Sequence, residues 1–262
     1  MEPTDRTLAA RPELFALCIA ANDPQRLARF WQGLLGWPLA NEGGVAGATD
    51  DTGGNTGGVA LLPTDDTGFR LRFLPSDEPK TRRNQIHVDL TSASLDAQES
   101  TVARVLELGG RHYDVGQRGD EGHVVLADPE GNEFCVIEPG NRFLAECGFI
   151  GALSSDGSRA LGLFWSEALG WPLVWDQDEE TAIRSPHGGP KITWGGPPFQ
   201  EKVGPNRWHL DLVPADGADQ QAVVERLVAL GATRSDASAH DVGAVVLLDP
   251  DGNEVCVLAA RP

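Results

Sequence analysis

Two short segments, His87-Val88-Asp89 and His209-Leu210-Asp211, carry the same pair of proton-handling groups. In a β-strand, residues two apart stand on one face, so each imidazole has a carboxylate beside it. Such a carboxylate can hold a histidine tautomer for general-base work, or the pair can recognise a polar group of a ligand. Two further segments, Asn132-Glu133-Phe134-Cys135 and Asn253-Glu254-Val255-Cys256, set a carboxylate and a thiol two residues apart, roughly 7 Å along a strand. Imidazole, carboxylate and thiolate are all zinc donors. They converge on one ion only if the strand of His87 lies beside that of Cys135. The competing reading is structural: a buried thiol is a small hydrophobe, Gly131 and Asn132 make a turn, and Glu133 satisfies a polar neighbour.

These segments belong to a duplication. Phe30-Trp31 and Leu35-Gly36-Trp37-Pro38-Leu39 recur as Phe164-Trp165 and Leu169-Gly170-Trp171-Pro172-Leu173, an offset of 134. Lys80-x-x-x-Asn84-x-x-His87 recurs as Lys202-x-x-x-Asn206-x-x-His209 at an offset of 122, and Asp128-Pro129-Glu130-Gly131-Asn132-Glu133 as Asp249-Pro250-Asp251-Gly252-Asn253-Glu254 at 121. The first copy therefore has about 12 extra residues, placed in the Gly/Thr/Asp-rich stretch Asn41–Thr67. The joint falls near Asn141–Glu146, which divides the chain into domains 1–143 and 144–262.

Each copy reads as α+β. A strand (Leu14–Ala20; Phe149–Ser154) leads to a helix, capped in the first copy by Asp23 with Pro24 behind it and stopped at Gly36. Leu27, Phe30, Trp31 and Leu34 make its buried stripe. Further strands run to about Leu74. The pattern then repeats: strand Gln85–Leu90 into helix Leu95–Leu108, and strand Trp208–Leu212 into helix Asp219–Leu230. Closing strands follow at Val124–Ala127 and Glu133–Glu138. Each copy is thus a pair of β-α-β-β-β modules.

Parity then assigns faces. Ile86, Val88 and Leu90 pack under helices, which leaves His87 and Asp89 on the concave side. Phe134 and Val136 go to the helices, and Glu133, Cys135 and Ile137 to the cavity. Phe15, Leu17 and Ile19 go under the helix, with Ala16 and Cys18 opposite. The second copy repeats this with His209, Asp211, Glu254, Cys256 and Leu258. Trp31, Trp37, Trp165 and Trp171 read as core, and Trp194 and Trp175 as stacking surfaces for a flat ligand. The Lys80-x-x-x-Asn84 and Lys202-x-x-x-Asn206 segments read as loops at the cavity mouth.

Twenty-one Lys and Arg against 39 Asp and Glu give a net charge of −18. That field repels nucleic acid and anionic membranes and draws cations. Its plainer reading is a solubilising surface. Four scattered cysteines with no C-x-x-C pair fit reduced thiols, and no apolar run approaches the roughly 18 residues of a membrane span. The expected compartment is the cytoplasm. No Gly-rich phosphate loop or Gly-x-Ser-x-Gly elbow is present.

The three motifs, in the same order in both copies, resemble the glyoxalase / bleomycin-resistance / extradiol-dioxygenase (vicinal oxygen chelate) superfamily, in its tandem glyoxalase-like branch. The resemblance implies paired modules whose curved mixed sheets enclose cavities. In metal-using relatives it also implies a divalent ion held by His, Gln or Glu on the first and last strands. Carried onto this chain, the first-strand ligand falls on Ala16, and in the second copy on Phe149 or Ile150. The histidine ligand matches His87 and His209. The last-strand glutamate falls on Cys135 and Cys256, and the fourth position near Arg70–Arg72 or Lys191–Thr193. One inherited donor thus survives per copy, so no cofactor is expected. If a divalent metal were held, its ligands would come from His87, Glu133, Cys135, His209, Glu254 and Cys256.

The expected function is a glyoxalase/bleomycin-resistance-like protein whose cavities bind a small apolar or aromatic molecule, with a cation as one option, without the usual metal centre, as in sequestration. The expected contacts are His87, Asp89, Glu133, Cys135, His209, Asp211, Glu254, Cys256 and Trp194. The alternatives are a metal-dependent lyase, isomerase or dioxygenase with an altered His/Cys/Glu set, and a cofactor-free acid–base enzyme using His87, Asp89, His209 or Asp211. The expected partner is a small molecule, with no nucleic acid and no membrane, on a monomer or homodimer.

Overall fold

The computed structural model describes residues 10–42, 58–116, 121–215 and 218–259. Strand β1 (Pro12–Ala21), helix α1 (Pro24–Leu35) and strands β2 (Leu39–Asn41), β3 (Val59–Leu61) and β4 (Arg70–Pro75) form the first module. The second comprises β5 (Ile86–Leu90), α2 (Leu95–Glu107), β6 (Arg111–His112), β7 (Val124–Ala127) and β8 (Glu133–Val136). The third is β9 (Ile150–Ser155), α3 (Arg159–Leu169), β10 (Leu173–Gln177), β11 (Glu180–Arg184) and β12 (Lys191–Trp194). The fourth is β13 (Trp208–Pro214), α4 (Gln220–Leu230), β14 (Thr233–Arg234), β15 (Val245–Leu248) and β16 (Glu254–Val257). The helix ends follow from their residues. The Asp23 side chain accepts from the Arg26 N–H at 3.0 Å, and Gly36 closes α1 at φ 73°, a conformation that costs any other residue. Ser158 and Gly170, at φ 69°, do the same for α3. The extra length of the first copy falls between β2 and β3, mostly on residues outside the described set.

The sheets form across the copies. The first runs β14-β15-β16-β13-β1-β4-β3-β2 and the second β10-β11-β12-β9-β5-β8-β7-β6. The central pairs, β1 with β13 and β5 with β9, are antiparallel and join a module of one copy to a module of the other. The helix-facing sides of both sheets share one core, in which the Trp31 ring lies 5.1 Å from Phe134 and 6.3 Å from Trp208. The opposite face of each sheet carries its own small apolar cluster beside the polar groups. Among the described residues no helix is long and apolar enough to cross a membrane, and all four cysteines are free.

One strand departs from strict alternation. The register of β1 shifts between Leu14 and Ala16, so Phe15 is the extra residue of a β-bulge. Its ring therefore joins Ala16 and Cys18 on the concave side, under the Arg70 guanidinium at 4.2 Å, rather than packing beneath the helix. The second sheet bulges at the matching place, between Ile150 and Ala152. There the extra residue is Gly151, where a Cβ would meet Thr91 Cγ2 at 2.7 Å and Leu144 Cδ1 at 3.0 Å.

The Asp-Pro-x-Gly-Asn turns are structural joints. Asp128 Oδ1 accepts from the Glu130 and Asn132 N–H groups at 2.9 Å, and Oδ2 accepts from Asn132 Nδ2 at 2.8 Å and Trp31 Nε1 at 3.3 Å. Glu130 accepts from the Asn22 and Asp23 amides at the start of α1. Asp249 and Asp251 repeat the arrangement with Asn253 and Ser158. Each turn thus ties a strand of one sheet to a helix over the other. Trp31→Phe keeps most of the ring volume and leaves a buried acceptor short of one donor. The expected loss is about 1–2 kcal/mol, read from the urea midpoint.

Candidate functional site

The register shows which positions correspond. Ala16 and Cys18 lie across from Asp211 and His209, while Ala152 and Ser154 lie across from Asp89 and His87. On the other side Cys18 pairs with Arg72 and Ser154 with Thr193. The second-copy counterpart of Ala16 is therefore Ala152, not Phe149 or Ile150. An alignment from the helix motif misses this because Ala152 stands 12 residues before Phe164, whereas Ala16 stands 14 before Phe30. The correction leaves the chemistry unchanged, since neither alanine can donate an electron pair.

On the second sheet, His87 Nε2 stands 3.4 Å from Asp89 Oδ1, and Asp89 Oδ2 accepts from the Ser154 hydroxyl at 2.5 Å. Thr193 Oγ1 donates to Ser154 Oγ at 3.2 Å. Cys135 lies opposite Asp89 on β8 and completes a group whose His, Asp and Cys donor atoms all fall within 4.8 Å of one another. Burial alone would lower the His87 pKa, but the hydrogen bonds to Asp89 and Cys135 raise it above the ordinary imidazole value. Burial pushes the Cys135 thiol up. In front of the group lies a cavity of about 600 Å³. Phe143 and Trp175 supply aromatic walls, with ring centroids 5.8 Å apart, and His87, Thr193, Asp156 and Glu180 supply polar ones. No lysine or arginine is among its described lining residues. Lys191, two residues before the cavity-lining Thr193, donates to the Phe143 carbonyl and lies over the Phe143 ring at 4.0 Å.

The first sheet carries the equivalent residues in a closed arrangement. His209 Nε2 is 3.3 Å from Asp211 Oδ1, and Cys18 Sγ donates to Asp211 Oδ2 at 2.8 Å. Arg72, 3% exposed, fills the space that Thr193 leaves open in the other sheet. Its Nε meets Glu42 Oε2 at 2.5 Å, and its Nη1 meets Asp211 Oδ2 at 2.5 Å. The Nη1 and Nη2 pair grips Asp241 at 2.8 and 2.9 Å. Burial would push the Asp211 carboxyl up, but His209, Cys18 and Arg72 hold it below the usual carboxylate range. Burial would lower the His209 imidazole, yet Cys18 and Asp211 raise it well above its ordinary value.

Of the residues expected at the sites, the structure brings together His87, Asp89 and Cys135 on one sheet and His209, Asp211 and Cys256 on the other. Glu133 and Glu254 are diverted. Glu133 accepts from the Asn84 N–H at 2.7 Å and pairs with Lys80 Nζ at 2.6 Å, and Glu254 does the same with Asn206 and Lys202. The Lys-x-x-x-Asn and Asn-Glu motifs thus exist for each other, and neither glutamate joins a three-donor group among the described residues. Trp194 is 2% exposed, packs against Gly157 and Gly162 on the helix side, and also lines the cavity. Trp175, 38% exposed on β10, is the most open of the three cavity-lining aromatic residues that include Phe143 and Trp194. Sequence reasoning missed Arg72, Asp241, Ser154 and Phe143. The one signal was the fall of the fourth inherited ligand position near Arg70–Arg72, where no carboxylate stands.

The two groups differ as metal sites. The second-sheet set of imidazole, carboxylate and thiol fits a thiophilic dication, which His87, Asp89 and Cys135 would hold once both the imidazole and the thiol had lost their protons. The first-sheet set of Cys18, His209 and Asp211 does not fit. The Arg72 guanidinium is 2.5 Å from Asp211 and 4.0 Å from Cys18, and it already supplies positive charge there.

Comparison with known proteins agrees with this geometry. Glyoxalase I from Zea mays matches 97% of this chain and 94% of its own, with a TM-score of 0.63 and 13% identity. A putative dioxygenase from Bacillus subtilis matches 97% of this chain and 86% of its own, with a TM-score of 0.63 and 15% identity. At these identities the likeness establishes the fold. No curated protein matches the sequence. The glyoxalase-like domain family matches residues 16–137 and again 152–258, starting at the two corresponding alanines. With both copies matched over most of the chain, the protein belongs to the glyoxalase-like domain family of the vicinal oxygen chelate superfamily.

Proposed function

We propose that the second-sheet cavity binds a small, flat, cationic molecule without a metal centre, so that the protein acts by sequestration rather than chemistry. The observation that carries this is the lining: three aromatic side chains and two carboxylates around about 600 Å³, with the Lys191 ammonium turned onto Phe143. Aromatic faces and carboxylates attract a delocalised cation together, and the net charge of −18 raises its local concentration. The His87–Asp89–Ser154 hydrogen-bonded row supplies the polar floor. The reading needs no nucleic acid, membrane or second chain as partner.

Tryptophan fluorescence titration with N-methylquinolinium and its uncharged isostere methylnaphthalene tests it. The cation should bind at least tenfold more tightly, and Trp175→Ala should weaken it about tenfold, consistent with the usual strength of a cation–π contact. Equal affinity for the two probes would sink the cationic assignment. A second reading rests on the His87, Asp89 and Cys135 group, whose donors lie within 4.8 Å of one another. About one zinc ion per purified chain, removed by a chelator together with a turnover activity, would replace sequestration by metal-dependent catalysis.

A further inference from the structure

Asp241 is the odd member of the network on the first sheet. Glu42, beside β2, and Asp211, on β13, are held next to regular strands. Asp241 lies on the non-strand segment 235–244, its side chain 33% exposed and its neighbour Val242 89% exposed. Yet it takes the best donor edge of Arg72, the parallel Nη1 and Nη2 pair, at 2.8 and 2.9 Å. That two-point grip is how a guanidinium holds a carboxylate from outside the chain. The burial supports the same conclusion. Arg72, 3% exposed, meets Glu42 through Nε, Asp211 through Nη1 and Asp241 through both Nη1 and Nη2. Were Asp241 to swing out, a buried guanidinium would lose the two-point partner of its outer edge, and a buried charge short of a partner is costly. An incoming carboxylate would replace that partner at the same two nitrogens. The matching position on the other sheet is Thr193, and the cavity there is open.

We propose that the concave face of the first sheet is a binding site for a small carboxylate, kept shut by Asp241 acting as its own internal ligand. It is independent of the reading offered for the second-sheet cavity. The class of ligand is set by the fork: a planar, singly charged carboxylate, not a neutral amide and not a bare halide.

The test follows the Arg72 Nε–H signal by NMR in the full chain during titration with acetate, with acetamide and chloride as controls. In Asp241→Ala, acetate should shift the signal saturably, at a concentration at least tenfold lower than in the wild type. The wild type should reach the same end-point while amides of residues 236–243 exchange faster. Acetamide and chloride should do neither. Acetate that fills the variant but never perturbs the wild-type signal would make Asp241 a permanent structural partner and overturn the proposal. So would acetamide acting as well as acetate. Should Asp241→Ala not fold, Asp241→Ser, which keeps a hydroxyl for Arg72, carries the same comparison.

Discussion

Arg72→Met is expected to destabilise the chain by about 3–5 kcal/mol, the cost of removing one partner from a buried ion network. Methionine keeps the length and most of the bulk of the arginine stem, so the loss isolates the guanidinium. Among the described residues, Asp211, 1% exposed, would be left with His209 and Cys18 as partners, and Glu42 would keep Arg70 at 3.6 Å. Denaturant unfolding of wild type and variant measures the difference. The same experiment at about pH 5 should narrow the gap, because protonating a stranded carboxylate removes the charge that made the substitution costly. A change below about 1 kcal/mol would mean that the network is solvated in solution and that Arg72 does not close the first sheet.

His209 provides the second large effect. Its imidazole is held protonated by Asp211 and the neighbouring thiol positions, so its folded pKa lies well above the ordinary value of 6.5. A raised pKa stabilises the fold fully below the unfolded value, and the gain drains away as pH rises through the folded one. Between about pH 6.5 and the raised folded pKa the folded chain keeps a proton that the unfolded chain has released. Stability should therefore fall by about 1.4 kcal/mol per pH unit on this account. His209→Gln removes the titrating group and should flatten that slope. Guanidinium midpoints taken across the window for both proteins read the difference directly. Parallel curves would show that His209 is neutral in the folded state.

Much of the fold can be read from local chemistry. Asp23, Pro24 and Gly36 bracket α1 because each satisfies or relieves the backbone at a helix end, whatever surrounds it. Alternation places His87 with Asp89 and His209 with Asp211, because a strand buried on one side leaves its polar residues nowhere else to go. What was not legible depends on partners distant in sequence. The bulge at Phe15 adds one residue with no chemical mark, yet it turns a ring to the other face. Glu133 looks like a cavity donor until the chain returns Lys80 and Asn84 to it. Arg72 reads as a missing ligand, whereas folded it is the cation that fills the place. Pairing between copies cannot be seen from within either one, because each module presents the same edge and only assembly decides which edge it meets.

That crossed pairing binds the fate of the two halves together. A chain severed between β8 and β9 would yield two pieces, each holding one half of both sheets and the unmated central strand of each. Neither piece could bury its own interior, and each would be the natural template for the other. Duplication has here produced interlocked moieties, so a change in one copy is always tested against the other. One pocket could then be sealed and its twin left open only as the joint evolution of a single body.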